Sequence, residues 1–203
     1  GKTGISHWCE HMQFKGTPHF PASLLDKAIS REGGVWNAFT FLDWTTYFET
    51  MPVDKIDLAL RLESDRMVHC IYDAKELESE RTVVISEREG DENEPLFQLG
   101  EAIQAAAFRV HPYQHEIIGD KADLMTMSRD DLYGHYRTYY VPNNAVMAVA
   151  GDFKIKPMLA RIRELFEGIP KGSNPLRLNR PEPASAGEKR VVVEGHSDDL
   201  GSR

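Results

Sequence analysis

The sequence is poor in cysteine, with Cys9 and Cys70 alone among 203 residues. Two are too few for a disulfide framework, so stability must come from burying apolar side chains. There is no apolar run near the ~20 residues that a membrane-spanning helix needs, and a helical membrane protein is excluded. There is no Lys/Arg cluster beyond scattered pairs, and the net charge is −8. Nucleic acid is therefore not an expected partner, since phosphate binding needs a basic surface. No internal repeat is visible. The chain also has no initiator Met and no signal peptide, so a compartment cannot be read from a targeting segment. A soluble chain is expected, with the cytoplasm slightly favoured. What remains, 41% hydrophobic and 28% charged, is the composition of an ordinary globular chain with one sizeable core.

The chemistry concentrates near the start, in Ser6 to Thr17. His7 and His11 are four apart, with Glu10 between them. On a helix this spacing stacks both imidazoles on one face, one turn apart, with Glu10 three positions after His7. Two neutral imidazoles converging on a point make half of a zinc site. A carboxylate at the rim of that face can take a proton from a metal-bound water. The order His-x-x-Glu-His is an inverted zinc-peptidase signature. The bland alternative is a surface helix that carries these residues by chance. Cys9 lies about 200° round the helix from His7 and reads as a small buried hydrophobe.

A catalytic zinc takes three protein ligands and keeps one open position. The stretch Lys75 to Glu89 contains neither Gly nor Pro and reads as a helix. Within it Glu76, Glu80 and Glu87 share one face, and Val83 and Val84 lie close to that stripe. Carboxylates flanked by valines tend to be partly buried and to need partners. A solvated acidic face is the competing reading.

Taken together, these stretches resemble the pitrilysin/insulinase family of zinc peptidases, which includes the mitochondrial processing peptidases. The resemblance also rests on Phe14-Lys15-Gly16-Thr17, Asn37-Ala38-Phe39-Thr40, Thr45-Thr46-Tyr47-Phe48, Tyr140-Val141-Pro142-Asn143-Asn144 and Gly151-Asp152-Phe153. It runs from about residue 4 to about residue 170. It implies one Zn²⁺ per chain held by His7, His11 and Glu87, with Glu10 as general base and Glu80 as an accessory glutamate beside the site. It implies a zinc-dependent endopeptidase acting on extended peptides or unfolded proteins, with Asn37, Ala38 and Phe39 near the edge that receives substrate. It also implies a partner: a second half-domain, or another subunit of the same family. The alternative function is a non-catalytic peptide-binding or scaffold subunit of that family.

The expected architecture is α+β, a mostly antiparallel sheet with helices packed on one face. Residues 1–170 would form the zinc-binding half, lacking the two strands that family members place before the zinc helix. Residues 171–187, rich in Pro, Gly, Asn, Ser and Arg, read as a linker, and 188–203 as the start of a second half. Locally, Ser23 and Asp26 resemble a capping box for a helix to about Arg31, ended by Gly33-Gly34. Residues 35–51 read as strands turning at Leu42-Asp43, and 54–71 as a helix with Ile56, Leu60, Met67 and Ile71 on one stripe. Further helices are expected over about 96–109, from the Ser128 cap to about Tyr140, and over 156–168. Asn144–Ala150 reads as a buried strand and 189–194 as another. His111 and His115 repeat the four-residue spacing, but Pro112 argues against a continuous helix and makes them loop histidines packed near the cleft.

Overall fold

The computed structural model describes residues 1–194. Helix α1 (Ile5–Met12) starts at Gly4, whose φ of 82° suits a residue without Cβ. Gly4 meets Gly119 (φ 84°) back to back, and a Cβ on either would fall 2.4 Å from a backbone atom of its neighbourhood. Thr3 adds polar ties, donating to Asp123 from its backbone N (2.8 Å) and its hydroxyl (2.7 Å). The start of α1 is thus fastened to a segment far along the chain.

Helix α2 (Ala22–Arg31) is followed by the antiparallel strands β1 (Val35–Thr40) and β2 (Thr45–Thr50). Their register pairs Val35 with Thr50 and Thr40 with Thr45, and the Phe41 N–H to Trp44 carbonyl bond (2.8 Å) closes the turn at Leu42-Asp43. A single 3₁₀ turn (Val53–Lys55) leads into α3 (Ile56–His69). Helix α4 (Ala74–Asp91) is capped by Asp73, whose carboxylate accepts from the backbone of Lys75 and Glu76. Helices α5 (Pro95–Ala107), α6 (Lys121–Thr126), α7 (Arg129–Tyr139) and α8 (Ile155–Phe166) complete the order. Ser128 and Asp131 form a full capping box on α7.

Helix α1 packs against α4, α7 and the hairpin. Trp8, Cys9 and Met12 are buried with Leu77 and Val84 of α4 and Leu132 and Tyr136 of α7. A smaller cluster joins Leu25, Ile29 and Leu62 under Trp36. The class is α+β, with antiparallel strands and helices against one face of the sheet. Val35, Asn37 and Phe39 point out to solvent, while Trp36, Ala38 and Thr40 are half-buried.

Several local expectations need correction. Ser23 does not cap α2, because the helix begins at Ala22 with Pro21 as its cap residue and Ser23 lies inside the first turn. Ile71 lies past the end of α3 and is exposed; Leu60 is buried as expected, and Leu62 and Arg66 are buried with it. Asn144 ends a 3₁₀ turn (Pro142–Asn144), residues 145–150 form no strand, and Val146 is 99% exposed. An apolar run becomes a strand only beside a neighbour, and among the described residues the sheet consists of β1 and β2. Residues 189–194 likewise form no strand; the Lys189 ammonium is held by the Ala106 carbonyl at 2.5 Å. The short α6 carries too few residues for a periodic signal.

Two tests follow from the packing of α7. The Tyr136 hydroxyl, fully buried, donates to the Arg66 carbonyl (2.9 Å) and accepts from the Cys70 N–H (3.2 Å). Tyr136→Phe leaves both backbone groups unpaired and should cost ~1–3 kcal/mol in urea unfolding, with the m-value unchanged. Burial pushes the neighbouring His135 imidazole down from 6.5 to about 4, with Lys2 adding to the effect. The unfolded chain therefore binds more protons than the fold between those two values. The stability contribution of neutral His135 is complete above pH ~6.5 and falls by on the order of 2 kcal/mol as pH drops toward ~4. Urea titrations across that range should lose this slope in His135→Gln.

Candidate metal centre

Helix α1 brings two imidazoles together as its spacing requires. The Nε2 atoms of His7 and His11 are 3.2 Å apart, with the rings edge to face at 4.6 Å. Helix α4 crosses beside them and delivers Glu87, whose Oε2 lies 3.8 Å from His7 Nε2 and 3.5 Å from His11 Nε2. Ligands about 2.1 Å from a tetrahedral zinc lie ~3.4 Å from one another. The observed separations of 3.2, 3.5 and 3.8 Å bracket that value. The donor set fits as well: two imidazole nitrogens and a carboxylate oxygen suit zinc.

The proton positions agree with that fit. The Glu80 carboxylate sits 2.8 Å from His11 Nδ1. An ionised Glu80 can only accept there, so Nδ1 carries the proton and the Nε2 lone pair faces the centre. Burial pushes the His7 imidazole below its ordinary pKa, and neighbouring His11 adds to this. Two neutral imidazoles whose lone pairs converge at 3.2 Å repel each other unless a cation or proton lies between them. Burial acts to raise the Glu80 carboxyl, but hydrogen bonds from His11 and Lys15 outweigh it and hold the group below its ordinary value. Lys15 pairs directly with Glu80, so the chain Lys15–Glu80–His11 fixes one ring from behind.

Glu10 is buried on the turn of α1 that faces the hairpin. The Thr40 hydroxyl donates to its Oε2 at 2.5 Å and lies 3.0 Å from the Thr45 hydroxyl. Nearby, the hydroxyls of Tyr47 and Tyr140 are 2.6 Å apart. Burial, with the Glu10 charge adding, pushes both phenols up, so both stay protonated.

Of the three glutamates on the α4 stripe, Glu80 is buried, Glu87 is 45% exposed and Glu76 is exposed. Glu87 is more open than its valine neighbours suggest, because only Val84 turns into the core while Val83 faces out. The centre is therefore closed on the histidine side and accessible on the Glu87 side. Asn37 and Phe39 project from the outer face of β1, and Ala38 points inward; beyond β2 no strand pairs with β1 among the described residues. Cys9 packs toward the Leu132 carbonyl, and burial pushes its thiol up to about 12. His111 and His115 flank a 3₁₀ turn (Pro112–Gln114), and no metal-competent grouping among the described residues includes them. Thr40 and Lys15 fall in stretches that carry the family resemblance, but the sequence assigns neither a role. Strand alternation marks Thr40 as inward-facing, but nothing local marks Lys15.

Comparison with known proteins bears on this geometry. A family model described as Insulinase (Peptidase family M16) matches residues 2–121, and one described as Peptidase M16 inactive domain matches residues 126–200. The chain is 32% identical over 202 residues to zinc protease PqqE of Helicobacter pylori, covering 98% of this chain and 45% of that relative. It is 29% identical over 173 residues to mitochondrial-processing peptidase subunit beta of Caenorhabditis elegans, covering 84% and 37%. It thus spans less than half the length of these curated relatives. The crystal structure of a protease from Helicobacter pylori superposes with a TM-score of 0.81 at 32% identity, over 90% of this chain and 44% of that one. The first half of the periplasmic protease PqqL from Escherichia coli shares the fold, at a TM-score of 0.81, 22% identity, and 91% and 41% coverage. The first family model alone covers more than half of the residues, and the chain belongs to the insulinase family, peptidase family M16.

Proposed function

We propose that this chain is the zinc-binding half of a metalloendopeptidase, with His7, His11 and Glu87 holding one Zn²⁺ and Glu10 acting as general base. The observation that carries this reading is the convergence of three donor atoms, two of them on the helix that also carries the buried Glu10 carboxylate. A zinc ion bound there supplies a Lewis acid for a peptide carbonyl and lowers the pKa of water from ~15.7 towards ~7. Glu10 accepts a proton from the attacking water and then gives it to the leaving amine as the C–N bond breaks. Thr40 holds Glu10 by one oxygen and restricts its swing. Glu80, steadied by Lys15, orients the His11 ring and fixes its tautomer.

The substrate in this reading is an extended peptide or unfolded polypeptide. It would add as a strand beside Asn37, Ala38 and Phe39, where backbone groups of β1 lack a partner strand among the described residues. Residues 1–170 make up the zinc-binding half, and a second half-domain or a partner subunit closes over the open Glu87 side. The relatives' greater length supports that arrangement.

Cleavage of a quenched, unstructured peptide by the protein, with zinc and then with chelator, tests the reading. Glu10→Gln should keep its zinc and lose ~10²–10⁴-fold in rate, the usual share of a general base. Cleavage at the wild-type rate would remove Glu10 from that role. Zinc binding without any cleavage by the wild-type protein would favour the non-catalytic subunit instead. Glu87→Gln should weaken zinc binding by at least ~10-fold in competition with a chelating dye, since even losses behind the ligands reach that size. Equal retention would take Glu87 out of the ligand set.

A further inference from the structure

A second group of metal-competent side chains lies outside this centre. Asp65 and His69 stand one turn apart on α3, and His19 reaches them from the loop that follows α1. One carboxylate oxygen, Asp65 Oδ1, lies 2.6 Å from His19 Nδ1 and 2.8 Å from His69 Nδ1. The imidazoles meet edge to face at 5.1 Å. The other oxygen of Asp65 accepts from the Thr17 hydroxyl. Asp65 is therefore anchored from below, with its side chain 10% exposed, while His19 and His69 are 62% and 48% exposed. The group opens into a cavity of about 570 Å³ bounded on the far side by Leu165, Ile169 and Pro170.

We propose that His19, Asp65 and His69 form a second metal site, taking one imidazole-preferring divalent ion of the Zn²⁺, Co²⁺, Ni²⁺ and Cu²⁺ group. Two nitrogens and one oxygen are the ligand types those ions select, and Mg²⁺ or Ca²⁺ would ask for oxygens alone. Both histidines now donate Nδ1–H to a single oxygen. Exchanging those two protons for an ion needs the donor atoms to spread from 2.6–2.8 Å to ~3.4 Å. The open imidazoles can make that shift by side-chain rotation, whereas the anchored carboxylate stays. The one arginine that lines the cavity, Arg61, is already paired with Asp57 at 3.1 Å. The cavity leaves room for water to complete the coordination. An ion bound here ties the loop after α1 to α3. That loop also carries Lys15, which pairs with Glu80.

The proposal stands apart from the peptidase reading, and its test keeps the two apart. In His7→Ala/His11→Ala protein, titration with Zn²⁺ against a chelating dye should still find one equivalent, against two in the wild type. Co²⁺ in the same variant should give visible d–d bands of a nitrogen–oxygen site. Adding His69→Ala should remove the bands and weaken zinc binding by at least ~10-fold, and His19→Ala should do the same. Both substituted side chains are largely exposed, so far-UV circular dichroism should be unchanged. Zinc should raise Tm in the His7→Ala/His11→Ala protein and not after His69→Ala. No bound equivalent in His7→Ala/His11→Ala, or an equivalent insensitive to His69→Ala and His19→Ala, would overturn the site.

Discussion

The structure depends on burying α1, a short helix with opposite duties on its two sides. Trp8, Cys9 and Met12 belong to the main core, while Glu10 is buried and His7 and His11 are partly buried beside them. Burying such groups is costly unless each has a partner. The fold supplies one to Glu10 through Thr40 and one to His11 through Glu80, with Lys15 balancing the charge of Glu80. Every partner comes from a different segment, so the site and the core assemble together. The bonds to Glu10 and His11 also set those rotamers, which a metal centre needs, while the buried Nδ1 of His7 has no hydrogen-bond partner among the described residues.

A second buried charge holds the hairpin in place over that helix. Arg66 of α3 is almost fully buried, paired with Glu63 and with Glu49 of β2 at 3.0 Å. Its guanidinium lies 4.5 Å from the Tyr47 ring and 5.5 Å from Phe14. Burial, with Glu63 adding, pushes the Glu49 carboxyl up to about 9. The burial of Arg66 is tolerable because two acidic side chains and the aromatic ring faces surround it. Its consequence for the site is positional: β2 and β1 stay in register over α1, which brings Thr40 to Glu10.

Several features of this arrangement stay open among the described residues. Glu87 is half-exposed, Phe39 and Phe48 project from the outer face of the hairpin, and β1 keeps an edge with no partner among the described residues. The apolar run 145–150 likewise has no neighbouring strand among the described residues.

The sequence alone determined whatever depends on neighbours along the chain. The i, i+4 spacing made His7 and His11 converge, the Ser128–Asp131 box started α7, and the Leu42-Asp43 turn set the hairpin. These are short-range consequences of helix pitch, capping geometry and strand alternation. Tertiary structure decided the rest. Glu76, Glu80 and Glu87 share one stripe, yet only where α4 crosses α1 does one become buried against His11 while another faces the two Nε2 atoms. The partnership of Thr40 with Glu10, the place of Lys15, and the meeting of His19 with Asp65 and His69 all join separate segments. Such contacts are fixed by how the helices pack, and packing leaves no periodic trace in the residues that it brings together.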